Sequence, residues 1–304
     1  MLFTGRTDAT ASRQPLWTPV STEAGIQRVL RVALAACYIG HGAFGIITKA
    51  DWLPYFAVAG IPEWLAWRLM PVIGAMDITL GLMALFMPIR GLVAWAIVWC
   101  TWTAVLRPLA GQGIWEFLDR AGNYGVPLAL LYLSGLRGSL RAWLHGASPM
   151  TLDALRAERL AGILRVTTAC LMIGHGGFGV FLQKQAAWTH YFGVLGVGPD
   201  VVRSMSLIPL LGGFEIVLGL AVLIRPSAGL LMFVVAWKLG TELLRLPAGE
   251  PIWEVVERGG SYGAPLAWLL LDQWRVRQAV APLARPLGAP RRAAPEAATP
   301  GQAA

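Results

Sequence analysis

Two histidines of this chain sit in nearly identical words, His41 in YIGHGAFG and His175 in MIGHGGFG. Imidazole changes charge near neutral pH, so a histidine inside an apolar run is a candidate for proton handling. Acids stand at matching places further along, Asp77 and Glu215, and Lys238, Glu242 and Arg245 then share one helix face at i, i+4 and i+7. In the first half that stripe reads Cys100, Ala104 and Arg107, so the halves have diverged and the second is the more polar. Charges at membrane depth are costly and by default mark functional positions. The pattern predicts that His175 with Glu215, and His41 with Asp77, exchange protons with a bound redox molecule. Lys238, Glu242, Arg245 and Arg107 would bind, orient or tune it. The plainer alternative has each histidine bonded to its acid to hold two helices together, while Lys238 and Glu242 neutralise each other. A third has both histidines ligating one haem across a pseudo-twofold axis.

Both glycine-spaced words also fit G-x-G-x-x-G, the dinucleotide fingerprint. That fingerprint needs a strand before it and a helix after it. Here each copy lies inside a long apolar run, VLRVALAACYIGHGAFGII or VTTACLMIGHGGFGVFL, which reads as one helix. The glycines are expected to thin that helix where a neighbour or a ligand comes close.

The elements that must position these groups follow from composition. With 56% hydrophobic residues, 14% charged residues and a mean hydropathy of +0.57, the 304-residue chain is too apolar for an ordinary soluble domain. Apolar stretches near 29–48, 65–87, 91–109, 124–136, 163–182, 204–224, 228–246 and 262–271 predict an all-α, polytopic membrane bundle of eight spans. Arg28, Arg31, Arg90, Arg137, Arg141, Arg225, Arg275 and others gather on the side of the N-terminus, which predicts a multi-pass inner-membrane protein with both termini cytoplasmic. The net charge of +8 is spread over short flanks, so no nucleic-acid groove is expected. No signal-peptide pattern is read in the polar start. Cys37, Cys100 and Cys170 lack metal or disulfide spacing, and no metal site is expected.

Aligning the halves pairs His41 with His175, Pro71 with Pro209, Gly74 with Gly212, Asp77 with Glu215, Gly81 with Gly219, Trp99 with Trp237 and Arg107 with Arg245. IWEFLDRAGNYGVPLALL then pairs with IWEVVERGGSYGAPLAWL. The reading is a tandem duplication: a polar segment over 1–27, a four-helix unit over 28–137, a linker over 138–161, a second unit over 162–274 and a disordered tail over 275–304. Four spans per unit make the two units parallel, so corresponding residues lie at equal depth. Counting from the cytoplasmic arginines puts His41 roughly 15 Å and Asp77 roughly 20 Å into the membrane, in one layer. Trp115, Glu116 and Arg120, like Trp253, Glu254 and Arg258, are expected in a short brace near the outer surface.

The glycine-rich first span closing on Lys49, the acid four residues before glycine (Asp77 and Gly81, Glu215 and Gly219) and the arginine after it (Arg90, Arg225) resemble the DoxX family of four-helix bacterial membrane proteins. The resemblance implies an inner-membrane protein associated with redox systems and with a redox partner protein, here as a tandem fusion. The expected function is a quinone-interacting membrane subunit, with the headgroup in the polar layer of the second half. A small-solute or proton-coupled transporter and a non-catalytic assembly partner are the alternatives. Oligomeric state, and whether the protein is an enzyme, are not encoded in these motifs.

Overall fold

The computed structural model describes residues 21–280, and the readings made for the N-terminal segment before Ser21 and for the tail beyond Val280 lie outside them. No strand occurs among the described residues. The first half contains α1 (Thr22–Ile46), α2 (Leu53–Val58), α3 (Glu63–Phe86), α4 (Arg90–Leu109), α5 (Ile114–Asp119) and α6 (Ala121–Ser134). A short α7 (Leu140–Trp143) leads into the second half, with α8 (Ala154–Val180), α9 (Gln185–Val194), α10 (Pro199–Ser204), α11 (Leu207–Ile224), α12 (Ala228–Leu243), α13 (Ile252–Glu257) and α14 (Gly259–Val280).

Five of these helices, α1, α3, α4, α8 and α11, are long and apolar enough to cross a membrane, against the eight spans read from the sequence. The difference has local causes. The fourth apolar stretch is broken at Arg120, so α5 and α6 are separate and α6 has 14 residues. Lys238 and Glu242 lie in the 16-residue α12. The apolar part of α14 runs on into Asp272, Arg275 and Arg277. Large apolar side chains such as Phe86, Val98, Leu210 and Val217 are exposed on the outward faces of α3, α4 and α11, a surface suited to lipid rather than water.

The ends of α1 and α8 explain how the site is built. Ser21 caps α1 by accepting from the Ala24 amide at 3.3 Å. Asp153 caps α8 by accepting from the Arg156 amide at 2.8 Å, so α8 begins within the stretch read as linker. Both helices end alike: Thr48 and Leu182 take positive φ, and the two amides after each helix bond back to Gly45 and Phe44, and to Gly179 and Phe178. The reversal carries Lys49 back over the Phe44 ring at 4.0 Å and Lys184 over Phe178 at 3.8 Å.

The two long helices form the centre. In α1 and α8, 61% of the membrane-length stretch is buried, against 28–33% in α3, α4 and α11. Each packs on its own neighbour, α1 on α3 and α8 on α11, and also on the opposite half, α1 on α13 and α14 and α8 on α5 and α6. The glycines of the twin words make these approaches possible. A Cβ on Gly45 would lie 2.7 Å from the Gly74 backbone, and one on Gly179 2.8 Å from Gly212, so α1 meets α3 and α8 meets α11 with little between them. Gly40 abuts the backbone of Glu257, and Gly174 that of Asp119, so the first glycine of each word admits the short helix of the other half.

Candidate functional site

The histidine of each central helix reaches the acid of the adjacent helix. His41 Nδ1 lies 2.8 Å from Asp77 Oδ2 and His175 Nδ1 2.5 Å from Glu215 Oε2, with both carboxylates 1% exposed. A tryptophan stacks on each imidazole: Trp52 on His41 with centroids 4.4 Å apart, Trp188 on His175 at 5.1 Å. A tyrosine and an arginine complete each set, with Arg107 donating to the Tyr55 hydroxyl at 2.8 Å and Arg245 to the Tyr191 hydroxyl at 2.9 Å. The tryptophans and tyrosines lie in short segments with no chemical motif of their own, and the sequence reading passed over them. Their recurrence near each lysine, LysAlaAspTrp and LysGlnAlaAlaTrp, was the available signal.

An apolar pocket of about 190 Å³ lies beside His41 and one of about 60 Å³ beside His175; Glu215 lines the second, whereas Asp77 stands behind His41 and does not line the first. The larger pocket is walled by Trp52, Phe56, Ile73, Trp99 and Leu106, and its rim residues Ala59 and Trp102 are exposed. The expected placement of a headgroup in the second half meets the narrower of the two spaces.

The halves also differ in how their buried polar atoms are satisfied. Glu215 accepts from Trp237 Nε1 at 2.8 Å as well as facing His175, so both of its oxygens are engaged. Asp77 is one methylene shorter, and its Oδ1 and the indole nitrogen of Trp99, the counterpart of Trp237, are both buried without a partner. A buried donor and a buried acceptor left open cost free energy unless a ligand or water fills them.

Between the halves lies a third space, a polar cavity of about 490 Å³. The expected short braces form, with Arg120 3.7 Å from Glu116 and Arg258 3.6 Å from Glu254, and they also reach across: Glu116, Arg120 and Arg258 are buried against the other half. The cause is the crossed packing of α5 on α8 and of α13 on α1. Ion pairs cross this interface in both directions, Lys49 to Glu254 at 2.8 Å and Lys184 to Glu116 at 2.7 Å. Arg258 faces Asp119 at 3.6 Å and Glu242 at 3.1 Å. Lys49, Lys184, Asp119 and Glu257 were not among the expected site residues; the doubled IWE…R segment carries Asp119 and Glu257, and nothing local marks the two lysines.

In α13, burial raises the Glu254 carboxyl, but Arg258, Lys49 and Arg245 outweigh it and bring it down to about 2. Lys184 is lowered because burial outweighs Glu116. The expected cluster of the second half closes around one acid: Glu242 lies 3.0 Å from Lys238 Nζ and 2.7 Å from Arg245 Nε, in addition to Arg258. Arg107 belongs to a separate cluster, 3.6 Å from Glu116, which also faces Arg120 at 3.7 Å and Lys184 at 2.7 Å.

His41 and His175 line different spaces, and only His175 reaches the central cavity. Such geometry gives no common volume for one group held by both rings. No protein-family model matches the chain, and no curated protein or solved structure matches it.

Proposed function

We propose that the protein is a quinone-interacting integral membrane subunit built as two parallel four-helix units, with eight passes counted by adding α6, the polar α12 and α14 to the five long apolar helices. The distribution of arginines supports an inner-membrane protein with cytoplasmic termini, and the DoxX-like motifs support association with a redox partner protein. Broken helices suit this reading, because irregular backbone at membrane depth is tolerated where it is buried in protein or lines a cavity.

One observation carries the ligand assignment: Trp99, whose Nε1 is buried without a partner, lines the larger of the two apolar pockets together with His41, which Asp77 holds from behind. A quinol hydroxyl would accept from the Trp99 indole and donate to the His41 ring nitrogen that Asp77 leaves free, while Trp52 and Phe56 pack the ring and the exposed rim lets an isoprenoid tail pass to lipid. His41, held by Asp77, stands ready to take or return the hydroxyl proton, and Arg107 with Tyr55 bounds the far side.

The test is mass spectrometry of an organic extract from protein purified in mild detergent. Wild-type protein should carry stoichiometric quinone, Trp99→Phe should retain at least about tenfold less, equivalent to ~1.4 kcal/mol, and Trp237→Phe should retain the wild-type amount. Protein free of quinone, or equal retention by both variants, overturns the assignment.

The polar cavity supports a second reading, proton-coupled movement of a small solute. Substrate-dependent uptake into proteoliposomes separates it from the first, because a quinone-binding subunit gives none.

A further inference from the structure

The two halves hold the same His–carboxylate–tryptophan set, but the spaces in front of the two histidines differ in kind. His41 faces the apolar pocket, and Trp52, stacked on it, is the residue that lines the central cavity in its place. His175 lines both its own narrow pocket and the central cavity. Its Nδ1 is engaged by Glu215, so the ring's other nitrogen is the one left to exchange a proton.

The cavity is built to hold water. It contains cations and acids in equal number, Lys49, Arg107, Arg120, Lys184, Arg245 and Arg258 against Asp51, Glu116, Asp119, Glu250, Glu254 and Glu257, so a charged solute meets no net attraction there. Arg120 and Arg258 stand 3.7 and 3.6 Å from Asp119, longer than a direct hydrogen bond, and both Asp119 oxygens are buried with no partner. Its side chain is 1% exposed and lines the cavity. Unfilled carboxylate oxygens beside cations at this spacing are what bridging water satisfies.

The charged layer present only in the second half leads inward from this space. Arg258 lines the cavity and Glu242 lines the His175 pocket, 3.1 Å apart. In the first half the counterpart of Glu242 is Ala104: Arg107 lines both the cavity and the His41 pocket, but among the described residues no acid lines that pocket. Facing His175 are Glu215 from α11, which bonds its ring, and Glu242 and Arg245, which line the same pocket, while Asp119 and Lys184 line the cavity side.

We infer that the duplicated halves have divided their roles: the central cavity is a hydrated vestibule that delivers protons to and from His175, while the stacked Trp52 shields His41 from it. In the proton step, a hydronium ion in the vestibule gives a proton to the free imidazole nitrogen and is left as water, forming an imidazolium paired with the Glu215 carboxylate, and the new N–H bond breaks when the proton returns to water. No electron moves and no other reactant takes part. The vestibule assignment goes beyond the quinone reading and does not require it.

Deuterium exchange at the histidine C2–H position, read by mass spectrometry on full-length protein in lipid nanodiscs, tests this directly because it needs water at the ring. The expected result is His175 exchanging at least about tenfold faster than His41, with Ala187→Trp slowing His175 and leaving His41 unchanged. Ala187 lines the vestibule and is exposed, outside the ion-pair network. Equal rates, a faster His41, or slowing of both rings by Ala187→Trp overturns the inference. Quinone content of the same preparation is scored separately, so absence of quinone with the rate difference intact sinks the ligand reading alone.

Discussion

Gly122 and Gly260 face each other across the junction of α6 and α14: a Cβ on either would lie 2.7 Å from the carbonyl carbon of the other. They are also the same position of the doubled IWE…GVP and IWE…GAP segments. Gly125 against Thr167 and Gly263 against Ala33 repeat the relationship between α6 and α8 and between α14 and α1. The halves are thus joined through glycine contacts that leave no room for a side chain.

Substitution there should loosen the junction. Gly260→Ala is expected to cost ~1–3 kcal/mol through overpacking against backbone that cannot yield. Gly25→Ala in α1, where a Cβ meets nothing within 4 Å, should be neutral or stabilising. Thermal unfolding in detergent measures both; equal behaviour of the two variants would show that the junction is looser than described.

The cluster around Glu242 predicts an unequal response to its two ends. Lys238→Met should cost little, because Glu242 keeps Arg245 and Arg258. Glu242→Gln removes the acid that Lys238 faces and the one nearest Arg245 and Arg258, which keep only Glu250, Asp119 and Glu254, and should cost ~3–5 kcal/mol. Chemical unfolding of the two variants gives the order, and a larger loss for Lys238→Met contradicts it.

Glu254 supplies a pH dependence with a definite sign. Its carboxyl is held down to about 2 by Arg258, Lys49 and Arg245, below the ordinary value of 4.5. A carboxyl with a lowered folded-state value contributes stability that is present above its ordinary range and lost as pH falls through the folded value. Stability should therefore decline between about pH 4.5 and 2, and Glu254→Gln should show a shallower decline in that window. Unfolding midpoints measured across these pH values check it; parallel curves would mean that the carboxyl is not perturbed.

The turns after α1 and α8 predict a stabilising change. Thr48 and Leu182 hold φ values of 57° and 55°, a region costly for residues with a Cβ. Leu182→Gly is expected to stabilise the protein by up to ~1 kcal/mol, visible as a higher unfolding temperature. A drop would mean that the leucine side chain, half of which is buried from solvent at 46% exposure, contributes more by packing than the turn loses by strain.

Composition and periodicity determined that this chain is helical and membrane-like, because apolar runs of bilayer length leave few other folds in which backbone polar groups are satisfied. Spacing and equal depth also determined the partnerships His41–Asp77 and His175–Glu215, since each joins neighbouring helices whose close approach is written in glycine. Contacts between the halves were decided only in three dimensions. Nothing local marks Lys49 as the partner of Glu254 or Lys184 as the partner of Glu116, because each pair depends on how α5 and α13 cross to the opposite central helix. The same holds for the open valences at Asp77 and Trp99: a single methylene separates Asp from Glu, and only the distance between two packed helices decides whether the shorter acid reaches the indole.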